Sequence, residues 1–468
     1  MKILVAIASH GTRNDHYLLQ LVQEYHSMSF DVDIVVLSNI PKNVASRVEV
    51  CVVDLRGKNP WSLPFSHKRI LGDRLNDYDL FIYSEDDILI REKNLRAFLE
   101  VSAVLPEDEL PGFLRYEKSA DGNINYPDVH FHFHWDPASV RSRGPYTLAF
   151  FTNEHAACYV LTQEQLRRAI KSGGYLVDAH EGRYALPETA ATDPYTQCGF
   201  RKFVCISHLD DFLVHHLPNK YVGTRYGVGD PELRRQVQAL LKIGQNGQHP
   251  VPLYEIETRL KECAYSKDYY EPASPEVLSA IPKGVRSVLS IGCGWGAMEE
   301  WLGKKGLRVT AIALDSVIGG CAEGRGVEVI QMHLEGAWEK LKGRKFDCLL
   351  ISNILHLVRN PIEVLSSFTS LLAKDSAVVV IAPNLSSLPV IWKRVRDAER
   401  FKGLGNYETS GVHITSSKTL RRWFKSSGLR MERLINILPD RAKIAKHVTL
   451  GLMDAWLASE IIAVARRA

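Results

Sequence analysis

Short apolar runs alternate with segments of helical period along most of the chain. The first apolar run, KILVAIAS, is followed by the amphipathic segment NDHYLLQLVQEYHSM and then by a second apolar run, DVDIVVLSN. Short apolar strands that alternate with helices are typical of parallel α/β sheets, whose strands are buried on both faces. The pattern therefore predicts an α/β fold for the beginning of the chain.

The same pattern begins again in the second half. VRSVLSIGCGWG predicts a strand, AMEEWLGKKG a helix and RVTAIALDS another strand, whereas residues 231–282 show no strong strand pattern. Two starts predict two α/β domains, and 468 residues suffice for both because single cores stop growing at roughly 250–300 residues. We place the first domain at residues 1–243, a helical linker at 244–268 and the second domain at 269–468.

Charge and cysteine content narrow the class of protein. Lysine and arginine number 58 against 54 aspartates and glutamates, which gives no reason to expect nucleic acid as a partner. No apolar segment is long enough to span a bilayer, and the first residues lack a signal-peptide cleavage site. The eight cysteines form no C-x-x-C pair, so we expect reduced, structural cysteines and a cytoplasmic location.

Three consecutive acids, Glu85, Asp86 and Asp87, follow the apolar run LFIYS. Ligands of open parallel sheets bind beyond the carboxyl ends of the strands, which is where these acids fall. Adjacent carboxylates repel one another unless a cation neutralises them, and oxygen ligands suit Mg²⁺ or Mn²⁺ held together with substrate phosphates. The run therefore predicts a metal that binds a diphosphate, with a solvated turn as the open alternative.

Residues 1–225 resemble the GT-A glycosyltransferases, which transfer sugars from nucleotide-sugar donors. The resemblance lies in VAIASHGTRND, IVVLSN, SHKRILGDRLNDYDLFIYSEDDILI and FTNEHAACYVLT. It implies a GT-A nucleotide-sugar-binding domain in which Asp87 holds the metal, while Glu85 and Asp86 face the donor. Further donor contacts implied by the resemblance come from Ala8, Ser9, Ser38, His67, Lys68 and Arg74.

An inverting transfer also needs a carboxylate base for the acceptor hydroxyl. Asp193, in a segment of small and polar residues, is favoured slightly over Glu154, which precedes an apolar strand. His216 is a candidate second metal ligand, although a core histidine is an equal alternative. VHFHFHWD predicts a strand with three histidines on one face; zinc is a minor alternative there, because a fourth ligand is missing.

In the second half, Gly292, Gly294 and Gly296 lie between a predicted strand and a predicted helix, and Asp315 ends the next strand nineteen residues after Gly296. Glycine allows a tight turn and close approach of a ligand, while a carboxylate at that place can bind ribose hydroxyls. A glycine loop followed by a carboxylate at this spacing suits the binding of a dinucleotide or of S-adenosylmethionine. The G-x-G-x-G spacing disfavours a nicotinamide cofactor, and a simple tight turn stays open.

From about Tyr269 onward the chain resembles the Rossmann-like class I S-adenosylmethionine methyltransferases. The resemblance lies in the glycine loop and in three later segments, FDCLLISNILHLVRNPIEVLSSFTSLLAKDSAVVVIAPN, GVHITSSKTLRRWFKSSGL and SEIIAVARR. It implies that the glycines pass under the methionine part of the cofactor, that Asp315 holds the ribose and that Asn353 lines the floor.

Three positions depart from that family's pattern. Ser290 stands where the family often has an acid that contacts the cofactor amine. Leu334 stands where the family often has an acid near the adenine, and Glu335 is one residue further on. Residues 355–357 read LHL where the family often reads LEH. His413 and His356 are candidate bases for methyl transfer. The departures leave open whether this domain is active or is a degenerate fold used for docking.

Together the two resemblances predict a bifunctional enzyme of glycan biosynthesis. Its cofactors would be Mn²⁺ or Mg²⁺ and S-adenosylmethionine, and its substrates a nucleotide-sugar donor and a glycan or sugar-lipid acceptor that brings peripheral membrane contact. The alternatives are a glycosyltransferase with a docking domain and a binding scaffold without activity. Nucleotidyl transfer is disfavoured because the first strand lacks a glycine-rich loop with a lysine. The sequence leaves the donor, the acceptor and the oligomeric state open.

Overall fold

The computed structural model describes residues 1–57, 59–247, 257–439 and 453–468. The chain divides into two compact units, Met1–His249 and Pro250–Ala468. The linker predicted at 244–268 falls across this division, and residues 248–256 of it lie outside the described residues. No helix in the described ranges is both long enough and apolar enough to cross a membrane.

The N-terminal unit contains strands and helices in mixed order. Its strands are β1 Lys2–Ser9, β2 Asp31–Ser38, β3 Val48–Val52, β4 Leu80–Glu85, β5 Ile88–Leu89, β6 Glu109–Pro111, β7 Leu114–Lys118, β8 Ile124–Tyr126, β9 Trp135–Arg143, β10 Tyr146–Phe151, β11 Cys158–Thr162, β12 Arg201–Cys205, β13 Leu213–His216 and β14 Val228–Gly229. Its helices are α1 Asp15–Ser27, α2 His67–Asp73, α3 Glu92–Ser102, α4 Gln163–Lys171, α5 Leu186–Thr196 and α6 Asp230–Asn246.

The described part of this unit contains three sheets. The first has the order β11-β4-β1-β2-β3, with β11 antiparallel to an otherwise parallel set, and the others have the orders β6-β12-β10-β9 and β14-β8-β7-β13-β5. Residues Ile3 to Ile7 of β1 are fully buried, as expected for a central parallel strand covered on both faces. The strand predicted over the histidine run is wrong: β9 begins only at Trp135, and Phe131 has a left-handed φ of 55°.

The C-terminal unit is built around one seven-stranded sheet. Its strands are β15 Ser287–Cys293, β16 Arg308–Ala313, β17 Glu328–Ile330, β18 Phe346–Ser352, β19 Leu372–Pro383, β20 Leu429–Ile437 and β21 Glu460–Arg467. Its helices are α7 Pro275–Ala280, α8 Ala297–Lys304, α9 Ser316–Gly324, α10 Leu334–Leu341, α11 Pro361–Thr369, α12 Leu388–Arg396, α13 Tyr407–Ser410, α14 Ser417–Ser426 and α15 Asp454–Leu457.

The strand order of this sheet is β17-β16-β15-β18-β19-β21-β20, in which only β21 runs antiparallel to its neighbours. The order reverses between β15 and β18, because β16 and β17 lie on one side of β15 and the later strands on the other. Ligands of such sheets bind at this switch point, beyond the carboxyl ends of the strands. The α/β prediction is confirmed, and the glycine loop follows β15 at the switch point.

Candidate functional sites

The glycine loop after β15 is tightly enclosed by the chain. Gly292 and Gly296 have φ values of 86° and 85°, a conformation that side chains other than glycine rarely adopt. A Cβ on Gly294 would lie 2.1 Å from the carbonyl oxygen of Tyr269. The loop therefore needs glycine at all three positions, and at Gly294 the need comes from a neighbouring segment of this chain.

That segment, residues 267–271, lies directly over the glycine loop, and we call it the cover segment. The backbone N–H of Trp295 donates to the carbonyl of Tyr269 at 3.0 Å, and the Trp295 indole donates to the carbonyl of Glu271 at 2.8 Å. These two bonds join two residues of the cover segment to one loop residue. They hold the segment in register with the loop, so its charged side chains have defined places.

The carboxylate of Glu271 accepts hydrogen bonds from three side chains. Lys267 donates at 2.5 Å, the Ser352 hydroxyl at 3.0 Å and the Asn353 amide at 2.9 Å. Lys267 also donates to the carbonyl of Ser352, and its side chain is only 1% exposed. The cover segment is thus tied by buried charge to the end of β18 as well as to the glycine loop.

Two buried polar atoms at this edge have no hydrogen-bond partner among the described residues. They are Oδ1 of Asn353, which follows β18, and the hydroxyl of Ser316, which begins α9. Asn353 also has a left-handed φ of 47°. Because buried polar groups are nearly always paired in native proteins, unpaired atoms at a strand end are consistent with a polar ligand at that place.

Asp315 is the N-cap of α9 and is 3% exposed. Its Oδ1 accepts from the backbone N–H groups of Val317 and Ile318, both at 2.8 Å. The carboxylate is therefore fixed in place at the end of β16, next to Ser316 with its unpaired hydroxyl.

Ser290 lies within β15 at the position where an acid was expected from the resemblance. Its hydroxyl donates at 2.7 Å to a carboxylate oxygen of Glu299, which is 4% exposed on α8. A buried carboxylate is therefore present beside position 290, although it comes from another residue. Sequence reasoning missed Glu299 because the contact joins a strand to the following helix.

Leu334 and Glu335 lie in the first turn of α10, on the wall of a groove of about 800 Å³. Other side chains that line the groove are His333, Trp338, Arg359, Tyr407 and Glu408. His413 stacks on Tyr407 with 4.3 Å between ring centroids. Its Nε2 faces the carbonyls of Val358 and Arg359 and must donate to them, which leaves the ring lone pair on Nδ1.

Both candidate histidines of this unit are neutral near pH 7. Burial lowers the pKa of His413, although nearby carbonyls oppose the shift, and burial lowers the pKa of His356 to about 4. His356 is fully enclosed, with Nε2 against the carbonyl of Tyr265. His413 is only half-buried, so it is the more accessible of the two.

The comparison with known families identifies this unit. Residues 262–434 match the family model of a methyltransferase domain. The match includes the glycine loop, Asp315 and Asn353, and it covers less than half of the chain. The C-terminal unit therefore carries a methyltransferase domain, and the prediction of such a domain from about Tyr269 onward is confirmed at that level.

Three known proteins share features with the chain. It is 24% identical over 178 residues to the ubiquinone biosynthesis O-methyltransferase of Dechloromonas aromatica (strain RCB), covering 37% of this chain and 75% of that relative. The solved mitomycin 7-O-methyltransferase MmcR is 20% identical with a TM-score of 0.30; the match covers 41% of this chain and only 52% of that one. A SAM-dependent methyltransferase from Archaeoglobus fulgidus is 18% identical with a TM-score of 0.32, covering 40% and 87%.

The family match lies outside the N-terminal unit, where the GT-A resemblance stays a prediction.

The strand ends named from that resemblance do meet at one edge. Ser9 pairs in register with Ser38, and Ala8 pairs with Glu85. The Ser9 hydroxyl donates to Asp86 at 2.6 Å, and the Asn14 amide donates to Asp86 at 2.8 Å and to Asp87 at 3.3 Å.

His216 lies beside the acid run, as β13 pairs with β5 just after it. Its Nδ1 is 2.6 Å from Glu117 and its Nε2 is 3.6 Å from Asp87. Burial lowers the pKa of His216, but hydrogen bonds to Asp87 and Glu117 outweigh burial and raise it, so in its protonated form the ring donates to a carboxylate from each nitrogen. The other Asp87 oxygen, Oδ1, is buried without a hydrogen-bond partner among the described residues.

Burial raises the pKa of two of the three acids in the run. Burial, with a further contribution from Asp87, raises the pKa of Glu85 to about 8. Burial also raises the pKa of Asp86, although hydrogen bonds from Asn14 and Ser9 oppose the shift. Across the described ranges, no group of three or more histidine, cysteine, aspartate or glutamate residues is arranged to hold a metal, so Asp87 and His216 are at most a two-ligand site.

Three predicted donor contacts lie elsewhere. Lys68 forms an ion pair with Asp193, with both side chains almost fully buried, so this lysine and this candidate base neutralise each other. His67 is enclosed between the Pro64 carbonyl and the Tyr159 hydroxyl. Arg74 pairs with Glu49 and lies near Tyr78, which precedes β4, so it is at the amino end of that strand rather than beside the acids.

Glu154, the second candidate base, is half-buried and accepts a hydrogen bond of 3.0 Å from the Tyr184 hydroxyl. Arg183 lies 3.8 Å from the same carboxylate. Unlike Asp193, Glu154 keeps part of its side chain exposed. Sequence reasoning did not single out Asn14 or Glu117, since each is recognisable only from its contact with a residue about 70 or more positions away.

Proposed function

We propose that the methyltransferase domain binds S-adenosylmethionine and transfers a methyl group to a hydroxyl oxygen. The observation that carries the proposal is the polar edge at the switch point, where the unpaired Asn353 Oδ1 and Ser316 hydroxyl flank the glycine loop. The family match supports the reaction class. Oxygen as the methylated atom is supported by the Dechloromonas aromatica relative, whose name describes an O-methyltransferase.

The residues present fit this cofactor. The glycine loop would pass under its methionine part, and Asp315 would accept from the ribose hydroxyls. Glu299 supplies a carboxylate beside Ser290, where related domains often carry an acid. Glu335, on the groove wall, would lie on the adenine side. Bound S-adenosylmethionine supplies an electrophilic methyl group.

The part of the chain in the reaction is mainly alignment, with help from one base. His413 has its lone pair on Nδ1, and its lowered pKa keeps the ring neutral near pH 7. A neutral imidazole can take the proton of the acceptor hydroxyl as its oxygen bonds to the methyl carbon. Positioning of the two reactants supplies most of the acceleration in such transfers. A glycan or sugar hydroxyl is our proposed acceptor class.

Calorimetric titration of the whole chain with S-adenosylmethionine and S-adenosylhomocysteine tests the proposal. We expect saturable binding of both at one site, and loss of binding in Asp315→Ala. Lys305→Ala, on the surface after α8, is the matched control and should bind normally. A chain that folds but binds neither compound would refute the proposal and favour the alternative of a docking domain.

A second candidate function belongs to the N-terminal unit. We propose that it transfers a sugar from a nucleotide-sugar donor with a divalent cation. The observation that favours it is the placement of the His216 Nε2 atom 3.6 Å from Asp87, beside an Asp87 oxygen that has no hydrogen-bond partner among the described residues. A hard cation between them would gain two protein ligands and complete its shell with the donor diphosphate and water.

A panel of nucleotide sugars with Mn²⁺, read by product mass, tests this second function. Asp87→Ala should abolish metal-dependent hydrolysis or transfer, whereas Asp121→Asn removes an exposed carboxylate and should leave it intact. Equal activity in Asp87→Ala would exclude the role of Asp87. One product carrying both an added sugar and an added methyl group would establish bifunctionality.

A further inference from the structure

Helix α12, residues 388–396, buries none of its side chains. The large hydrophobic side chains that are exposed in the described part of the C-terminal unit are seven in number, and four of them lie on this helix. These four are Leu388, Ile391, Trp392 and Val395, with exposed fractions of 40%, 42%, 59% and 81%. Scattered single hydrophobic residues are normal on a surface, but four on one short helix are not.

The four residues form one continuous face. They occupy positions i, i+3, i+4 and i+7, which lie above one another on an α-helix, and we call them the apolar stripe. The other side of the helix carries Val390 and Arg394, both half-buried, and Arg394 donates to the carbonyl of Leu404 at 3.4 Å. The helix therefore turns the side with Val390 and Arg394 toward the unit and leaves its apolar stripe in solvent, whereas an ordinary surface helix buries such a stripe.

The helix that carries the apolar stripe is positively charged, and Arg396 lies at the edge of the stripe. Lys393, Arg394 and Arg396 lie in the last turns of α12, which contains no acidic residue. The Arg396 guanidinium stacks over the Trp392 ring at 5.0 Å, so a positive charge sits at the edge of the stripe itself. Helix α15 packs beside α12 and adds Trp456, which is 55% exposed.

We propose that the apolar stripe is a docking surface for an anionic lipid bilayer. A helix that has tryptophan and aliphatic residues on one face and lysine and arginine along its edges lies in the membrane interface, with its apolar side chains among the acyl chains and its cations at the headgroups. A second copy of the chain fits less well, because it would bring the same cations together.

Vesicle co-sedimentation of the full chain tests the surface directly. We expect binding to vesicles of phosphatidylcholine with phosphatidylglycerol, weaker binding to phosphatidylcholine alone, and a decrease with salt. The triple variant Ile391→Gln, Trp392→Gln and Val395→Gln should lose affinity by about tenfold or more, since the burial of each side chain contributes substantially. The charge variant Lys393→Glu with Arg396→Glu should lose the preference for anionic vesicles.

The matched control changes the same three residue types at other exposed positions: Trp61→Gln, Val104→Gln and Ile362→Gln. It should bind vesicles as the unchanged chain does. Thermal unfolding of all variants checks that they are folded, and we expect that they are because every substituted side chain is exposed. The proposal is overturned if the unchanged chain ignores anionic vesicles, if the stripe variant binds them equally well, or if the stripe variant only converts a dimer to a monomer.

Discussion

The hydroxyl of Ser290 donates a hydrogen bond of 2.7 Å to the carboxylate of Glu299, and both side chains are buried. The resemblance to the class I methyltransferases implies an acid at the position of Ser290, where it would contact the cofactor amine. Here the strand supplies the hydroxyl and helix α8 supplies the carboxylate. A carboxyl group is therefore present at the base of the glycine loop, although it comes from another residue than the one that the resemblance implies.

This arrangement predicts the effect of restoring the strand acid. Ser290→Asp would place a second buried carboxylate against Glu299, and we expect a loss of about 1–3 kcal/mol in the free energy of unfolding. The exchange Ser290→Asp with Glu299→Ser should recover most of that loss and should bind S-adenosylmethionine more tightly than Glu299→Ser alone. Urea unfolding and calorimetric titration measure the two effects.

Ser279→Asp, at an exposed serine of α7, is the control for adding a charge and should change neither quantity. If Ser290→Asp is as stable as the unchanged chain, the two carboxylates do not share one buried environment and the relocation of the acid is wrong.

The buried pair of Lys267 and Glu271 predicts an asymmetry between its two members. Lys267 is 1% exposed and Glu271 is 25% exposed, so Glu271→Gln leaves a buried cation without its counter-charge. We expect that change to cost about 3–5 kcal/mol, and Lys267→Met to cost less because Glu271 keeps Ser352 and Asn353 as donors. Urea unfolding of both variants and of the double variant checks this order; equal costs would contradict it.

Local patterns identified much of the fold but few of the contacts within each site. The glycine loop and the acid run were recognisable because each follows an apolar strand, and strand ends converge at one edge of a parallel sheet. The ion pair of Lys68 with Asp193 joins residues 125 positions apart, and nothing near either residue signals it. The strand predicted over the histidine run is wrong for another reason. Alternation of histidine and apolar residues predicted an extended chain, whereas Phe131 has a left-handed backbone conformation there.

Gly294 and Gly303 form a natural comparison. A Cβ on Gly294 would lie 2.1 Å from the Tyr269 carbonyl, whereas a Cβ on Gly303, in α8, would meet nothing within 4 Å. Gly294→Ala should displace the cover segment, lower the melting temperature and weaken S-adenosylmethionine binding by more than about tenfold. Gly303→Ala should stabilise the chain by about 0.5–1 kcal/mol through helix propensity and leave binding unchanged. Normal binding by Gly294→Ala would show that the cover segment does not shape the site.

The ion pair of Lys68 and Asp193 provides a test of whether Asp193 is structural or catalytic. Both side chains are at most 2% exposed, so Lys68→Met leaves an uncompensated buried carboxylate and should cost about 3–5 kcal/mol in urea unfolding. The double variant Lys68→Met with Asp193→Leu should recover most of this loss, because apolar replacements of a buried pair are often close to neutral. Arg167→Met, which breaks the exposed pair with Glu164, is the control and should have no measurable effect. If the double variant is stable and retains any sugar-transfer activity of the unit, Asp193 is not its base, and Glu154 becomes the candidate to substitute next. If Lys68→Met alone leaves the free energy of unfolding unchanged, the two side chains do not depend on each other as a buried ion pair.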